Sequence, residues 1–248
     1  NDTLQNHQGS MLAWRWETSG KVIGQGSTPA EIPVCDSCFQ GLVTCPAPEV
    51  DERASLSLHI ALIENQNEIL TSTNQSVTVF PAVPAGDRRL DVLWLDNFAE
   101  YESKRPEYDE MVKSGKRIIF SELPPGEYIV DGSRVLVKTS SMCPLHFASR
   151  KTGHRFVDGF QAGDFKHWYD PDTGYITPIL EHTFLADDFV PILTSGNLNE
   201  DSLWNTALAV GEKKAGEGSY IICQIKLRER VSANPAAGLF HRNLEFME

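Results

Sequence analysis

The 248-residue chain is long enough for one large domain or two ordinary ones, and 41% apolar with 23% charged residues is the balance of a globular protein with a real core. A formal net charge of -12 argues against a nucleic-acid backbone or an anionic membrane surface as partner. No run approaches the roughly 20 apolar residues of a membrane-spanning helix, and no basic-then-apolar leader opens the sequence. The opening Asn1-Asp2-Thr3-Leu4 reads as a chain cut from something longer.

Residues 1–80 read as β throughout. Along residues 11–17, Leu12, Trp14 and Trp16 fall on one face of an alternating strand. Short apolar runs at 21–24 and 41–44 are bounded by turn formers. Ala54–Glu64 alternates again, with Leu56, Leu58, Ile60 and Leu62 together, and Asn65-Gln66-Asn67 turns the chain into a strand over 69–80. Strands at this spacing with no helix between them predict a β-sandwich of immunoglobulin-like type, short of its first strands. Residues 81–88, with Pro81, Pro84 and Gly86, predict a stiff linker and a domain boundary.

Beyond the linker the period changes. Residues 90–95 and 117–120 are apolar enough for buried strands. Between them 101–113 has helical spacing, with Pro106 in its first turn, so the three elements predict a βαβ unit. Asp131-Gly132 marks a hairpin joining 127–130 to 134–138. Short strands are expected at 175–180 and 189–193. The closing unit is a strand over 207–210, a Gly216-Glu217-Gly218 connection, a buried strand over 219–227, and an amphipathic helix over 234–246 entered at Pro235. Residues 89–248 therefore predict a three-layer α/β domain, and the whole chain a multidomain β plus α/β protein.

Four stretches carry a family resemblance. Arg117-Ile-Ile-Phe-Ser-Glu-Leu-Pro-Pro-Gly-Glu-Tyr128, His146-Phe-Ala-Ser-Arg-Lys-Thr-Gly-His154, Phe156-Val-Asp-Gly-Phe160 and Gly216-Glu-Gly-Ser-Tyr-Ile-Ile-Cys-Gln224 resemble the C-terminal region of bacterial, β-galactosidase-like glycoside hydrolases of family 2. In those proteins a domain similar to class I glutamine amidotransferases follows an immunoglobulin-like domain, and the α/β domain here is expected to be amidotransferase-like or flavodoxin-like. The stretch ending Val77-Thr-Val-Phe-Pro81 is similar to the end of the latter. The resemblance implies a carbohydrate-metabolising parent, a periplasmic or extracellular location, and the rest of the parent hydrolase as partner.

The family's chemistry sits in a TIM barrel, where two carboxyl groups about 5 Å apart flank the scissile bond. No eightfold βα alternation occurs here. Asn67-Glu68 and Asn199-Glu200 echo the family's acid/base pair, but one falls in an expected turn and the other in a polar loop. The chain is accordingly expected to be non-catalytic by itself, with no cofactor.

An amidotransferase-like fold also raises thiol chemistry, which needs a cysteine at a strand-to-helix elbow. Ser121-Glu122-Leu123 occupies that place, and the remaining thiol candidate is Cys143 with His146, in a loop without flanking glycines. Cys35, Cys38 and Cys45 lack an evident fourth zinc ligand and read as reduced cysteines before a local disulfide or a metal site; Cys223 reads as a core residue. His146, His154, His167 and His182 show no metal-binding helix spacing, and Asp170-Pro-Asp172-Thr-Gly174 only resembles the opening of a calcium loop. Asn74-Gln75-Ser76 fits a glycosylation sequon, a pattern frequent by chance. The aromatic group Phe165, Trp168, Tyr169, Tyr175 and Trp204 offers two readings. Exposed, Trp168, Tyr169, Tyr175 and Trp204 would stack on sugar rings, making the chain an autonomous carbohydrate-binding module; buried, the group would pin long loops to the sheet. The second is the expectation.

Overall fold

A computed structural model describes residues 1–5, 7, 9–64, 68–82, 91–139, 148–198 and 204–247. Strand accounts for 44% and helix for 15%, a β-rich multidomain fold. The chain forms two compact units, Asn1–Ala82 and Val83–Glu248.

The first unit is one antiparallel sheet of β1 (Met11–Thr18), β2 (Lys21–Pro29), β3 (Ala54–Glu64) and β4 (Glu68–Val79), in the order β2-β1-β3-β4. The register sets Leu12, Trp14 and Trp16 opposite Leu62, Ile60 and Leu58, so the alternation builds one apolar face. Trp14 lies so close over β2 that a Cβ on Gly26 would come within 2.5 Å of its ring, which is why a glycine stands there. On the opposite face His59 approaches Glu17 at 3.6 Å. The two-sheet sandwich expected from strand spacing is not what the described residues form. The run at 41–44 makes no strand, because Pro33, Pro46 and Pro48 interrupt its surroundings and Leu42 stays 86% exposed.

The second unit is built on an eight-stranded mixed sheet. Its strands are β5 (Val92–Leu95), β6 (Arg117–Ser121), β7 (Gly126–Val130), β8 (Ser133–Thr139), β11 (His182–Leu185), β12 (Val190–Leu198), β13 (Trp204–Ala215) and β14 (Gly218–Cys223). The order is β5-β6-β14-β13-β11-β8-β7, with β12 on β13. Only β5, β6 and β14 run parallel. A small hairpin of β9 (Tyr169–Asp170) and β10 (Tyr175–Ile176) stands apart.

Helices α1 (Phe98–Ser103) and α2 (Arg105–Lys113) replace the single helix expected over 101–113. The break falls at Lys104, φ -125°, and the helix restarts at Arg105 with Pro106 in its first turn, where the missing N–H costs no intrahelical bond. Both cover one sheet face, in a core of Phe98, Tyr101, Tyr108, Val112, Ile118, Phe120, Tyr220 and Ile222. Helix α3 (Pro235–Phe246) lies on the other. His241 stacks on Trp94 at 5.0 Å, Trp94 Nε1 donates to Glu245 at 3.0 Å, and Arg117 donates to the carbonyls of Leu244 and Met247. Trp94 pairs with Ile119, whose side points away from that of Ile118 and Phe120.

Two strand expectations change. The strand foreseen at 175–180 stops at Ile176, since Pro178 cannot donate, and the chain returns to the sheet only at the Leu180–Ile225 bridge. The run at 207–210 extends over twelve residues, and its partner ends at Cys223 instead of Leu227.

All six residues of β14 are buried. A Cβ at Gly218 would lie 2.1 Å from the Lys116 carbonyl oxygen and 2.3 Å from that of Val112, so the backbone of β14 enters against the end of α2 with no side-chain space. Gly218→Ala is expected to destabilise the protein by about 3 kcal/mol or more, because backbone would have to move. Gly163→Ala, with nothing within 4 Å, should change stability by less than about 0.5 kcal/mol. Equal urea midpoints for the two variants would contradict this packing.

Candidate functional site

The residues from 148 to 185 carry most of the candidate chemistry. Their aromatic side chains are interior: Phe156, Phe160, Phe165 and Trp168 are at most 3% exposed. Phe165 meets Phe160 at 4.9 Å, Phe240 of α3 edge-on at 5.2 Å, and Trp168 at 6.0 Å. Trp168 Nε1 donates to the Asp164 carbonyl at 2.6 Å, so the indole is satisfied where it is buried. The segment is a wedge between α3 and the sheet, worth roughly 1.5–3 kcal/mol for each large side chain taken from water.

Two buried polar nodes fasten it. In the first, His154 Nδ1 accepts from the Phe156 amide at 3.3 Å, which leaves the ring proton of a neutral imidazole on Nε2, 3.2 Å from Glu212 Oε2. Lys214 Nζ lies 2.9 Å from the other carboxylate oxygen. Burial pushes the Glu212 carboxyl up, but hydrogen bonds from His154, Lys214 and Ser219 outweigh it and hold the group at about 2.

In the second node, Arg230 (2% exposed) pairs with Asp170 at 2.5 Å and donates to Thr177 Oγ1 at 2.6 Å. Thr177 Oγ1 donates to Asp170 at 3.0 Å, as does the Asp172 amide. The Arg230 contact first, then Thr177 and the amide, hold the Asp170 carboxyl well below the usual carboxylate range against its desolvation. Asn234, just ahead of α3, accepts from the Tyr169 amide at 2.8 Å and donates to the Tyr169 carbonyl at 2.7 Å. The Asp170–Gly174 turn is thus clamped by a guanidinium. Among the described residues, no group of three or more His, Cys, Asp or Glu is placed to hold a metal ion.

A third feature lies at the carboxyl end of the parallel strands, the place where open α/β sheets form their ligand crevice. Glu122 follows β6 with φ +47°, a left-handed conformation unusual for a residue with a side chain, and its amide donates to the Cys223 carbonyl at 2.9 Å. Desolvation of the carboxyl pushes its pKa up; Glu229 and Glu181 add to the rise, while Lys226 and Arg230 oppose it. Asp96 pairs with Arg228 at 2.7 Å and Glu181 with Lys226 at 2.5 Å around this end of the sheet. The chain runs on from this turn into β7 and not into a helix, so it is a strand-to-strand turn with a carboxylate on its left-handed residue.

The candidates from sequence separate. Trp168 is buried and presents no ring face to solvent. Tyr169 and Tyr175 are 44% and 73% exposed, but Tyr169 pairs with Ile176 and Tyr175 with Asp170, which puts the two rings on opposite faces of the hairpin. They do not make one stacking platform. Trp204 opens β13, and its side chain lies outside the described residues, as do Cys143 and His146. Cys35 and Cys38 are exposed and Cys45 half-buried, all free. Cys223 is a core residue whose thiol is pushed up to about 12 by burial, with Glu122 adding to the rise, so it carries no useful thiolate near neutral pH. Sequence reasoning passed over Glu212 and Arg230, and placed Glu122 only as a residue standing where a cysteine was sought. The first two stand in charged runs that look solvated, and only a left-handed conformation marks the third.

No family model, no curated protein and no solved structure matches this chain.

The Glu212 node generates a pH dependence. Its folded pKa is below the unfolded value, so its stabilisation is complete above about pH 4.5 and is lost as pH falls toward 2. Denaturant titrations across that window should show falling stability for the unaltered protein. Glu212→Gln should be less stable near neutral pH and show a shallower acid loss; an identical acid limb would contradict the node's role.

Proposed function

We propose that this chain is the non-catalytic C-terminal portion of a family 2 glycoside hydrolase, with a single-sheet β region standing where the family has its immunoglobulin-like domain, followed by an amidotransferase-like α/β domain. Its role is to support carbohydrate hydrolysis by a TIM-barrel domain of the same parent. The observation that carries the reading is the turn after β6: an amidotransferase-like enzyme would carry its nucleophilic thiol on a strand-to-helix elbow, and here the chain turns from β6 into β7 with Glu122 on the left-handed residue. A buried Cys223 with a raised pKa cannot replace it. The stretches resembling the hydrolase family are spent on architecture, with His154 on Glu212 and Phe156 and Phe160 in the wedge. Helices on both faces of a sheet with a parallel β5-β6-β14 trio are compatible with amidotransferase-like layering. Fold by itself carries no activity, so the role rests on the resemblance and on the thiol-free turn after β6.

A second reading, a carbohydrate-binding module, draws on the exposure of Tyr169 and Tyr175. Among the described side chains, opposite-facing rings give it a single-ring contact, a weak basis for retaining a polysaccharide.

The purified chain should show no hydrolysis of aryl β-galactosides, β-glucuronides or β-mannosides, and the reading frame upstream of Asn1 should encode a barrel with two active-site glutamates. Turnover abolished by a single Glu→Gln change, or an upstream stop codon in frame, would overturn the proposal.

A further inference from the structure

The two edges of the first unit's sheet are unlike each other. Edge strands offer unpaired amides and carbonyls to any other strand, and proteins blunt them with lysine, proline, glycine-induced irregularity or bulges. Strand β2 has such devices: Lys21, Gly24, Gly26 and Pro29, and a register shift against β1 at Trp16/Glu17. Strand β4 is different. Its one irregularity is the extra residue Leu70, after which Thr71–Val79 runs in unbroken register with β3, from Thr71 opposite Leu62 to Val79 opposite Ala54. Over those nine positions there is no Lys, Arg, Asp, Glu, Pro or Gly. Residues 71–78 are all exposed, and Val77 is 37% exposed.

We infer that the edge of β4, which no described strand pairs, is a self-pairing surface, on which a second copy of this chain adds its own β4 antiparallel about a two-fold axis at Gln75. The side-chain pattern selects that occupant. Two copies of a chain with net charge -12 repel at most surfaces, whereas this strand brings no charge opposite another. A partner strand chosen by charge would find nothing on β4 to recognise. An axis perpendicular to the sheet keeps each face continuous, so residues of the same parity must meet. The register that pairs all of the regular stretch with itself is then centred on Gln75. It sets Thr71 opposite Val79, Ser72 opposite Thr78, Thr73 opposite Val77 and Asn74 opposite Ser76. These are β-branched and hydroxyl pairs of the kind that stabilise antiparallel strands. Asn74 is already held by His59 Nδ1 at 2.6 Å, so its side chain is fixed clear of the ladder. The result is one eight-stranded sheet shared by two copies, and it is independent of the functional reading above.

The register supplies its own test. Sedimentation velocity of the unaltered chain, made in a host that does not glycosylate it, should show a species of twice the 27.6 kDa chain mass that dissociates on dilution. Ser72→Lys combined with Thr78→Lys puts lysines opposite lysines at both ends of the pair and should weaken the dimer by about tenfold or more. Ser72→Lys combined with Thr78→Glu puts opposite charges together and should restore it, which also excludes misfolding caused by the Ser72 change. A monomer at every concentration would overturn the inference, and so would a dimer indifferent to both pairs of substitutions.

Discussion

Strand β14 has to be dry on both faces, and the second unit is arranged to make it so. Six buried residues between a parallel β6 and an antiparallel β13 need a cover above and a cover below. Helices α1 and α2 provide one. There Tyr220 and Tyr101 both donate to the single carboxylate oxygen Asp109 Oδ1, at 2.5 and 2.8 Å. Burial first and Asp109 second push both phenols up, Tyr101 to about 12, so each remains a hydrogen-bond donor throughout the physiological range. The helices thus meet the sheet without stranding the strand's one large polar group.

The opposite cover is less regular and chemically richer. Helix α3 is only twelve residues long and buries just Ala236, Ala237, Phe240 and Leu244. The rest of that side falls to the Phe156–Trp168 wedge, an irregular segment with many backbone polar groups to satisfy. The His154–Glu212 and Arg230–Asp170 nodes meet that need, holding the segment's two ends to β13 and to the turn ahead of α3. Charges at low exposure stabilise such an arrangement only when paired, and both nodes are ion-paired: Glu212 with His154 and Lys214, Arg230 with Asp170. A cluster of histidines, aspartates and aromatics in an irregular segment thus has an architectural account residue by residue.

Local patterns were the legible part of the sequence. Alternation placed Leu12, Trp14 and Trp16 on one face, Asp131-Gly132 made the expected two-residue hairpin turn with both residues at positive φ, and Pro235 entered α3 as foreseen. What stayed hidden depends on partners far along the chain. Glu212 follows an apolar run and precedes two lysines, so its burial cannot be inferred without knowing that His154, 58 residues earlier, lies against it. Arg230 in Arg228-Glu229-Arg230 reads as solvated, yet while Arg228 and Glu229 are exposed, Arg230 is 2% exposed because Asp170 awaits it. The second sheet of a sandwich was inferred from strand spacing, and spacing counts only candidate strands. It does not register the prolines that keep 41–44 from joining a ladder.

The account stands on the wedge being a brace and not a surface for sugar. Paired alanine substitutions in that one segment test it most directly. Trp168→Ala removes a buried, hydrogen-bonded indole and is expected to destabilise the protein by about 3–5 kcal/mol. Tyr175→Ala, at a 73% exposed position, should stay within about 0.5 kcal/mol. The measurement is the free energy of unfolding of both variants by urea titration. A Trp168→Ala protein as stable as the unaltered chain would contradict the account, because its ring would then have been doing something other than holding α3 to the sheet.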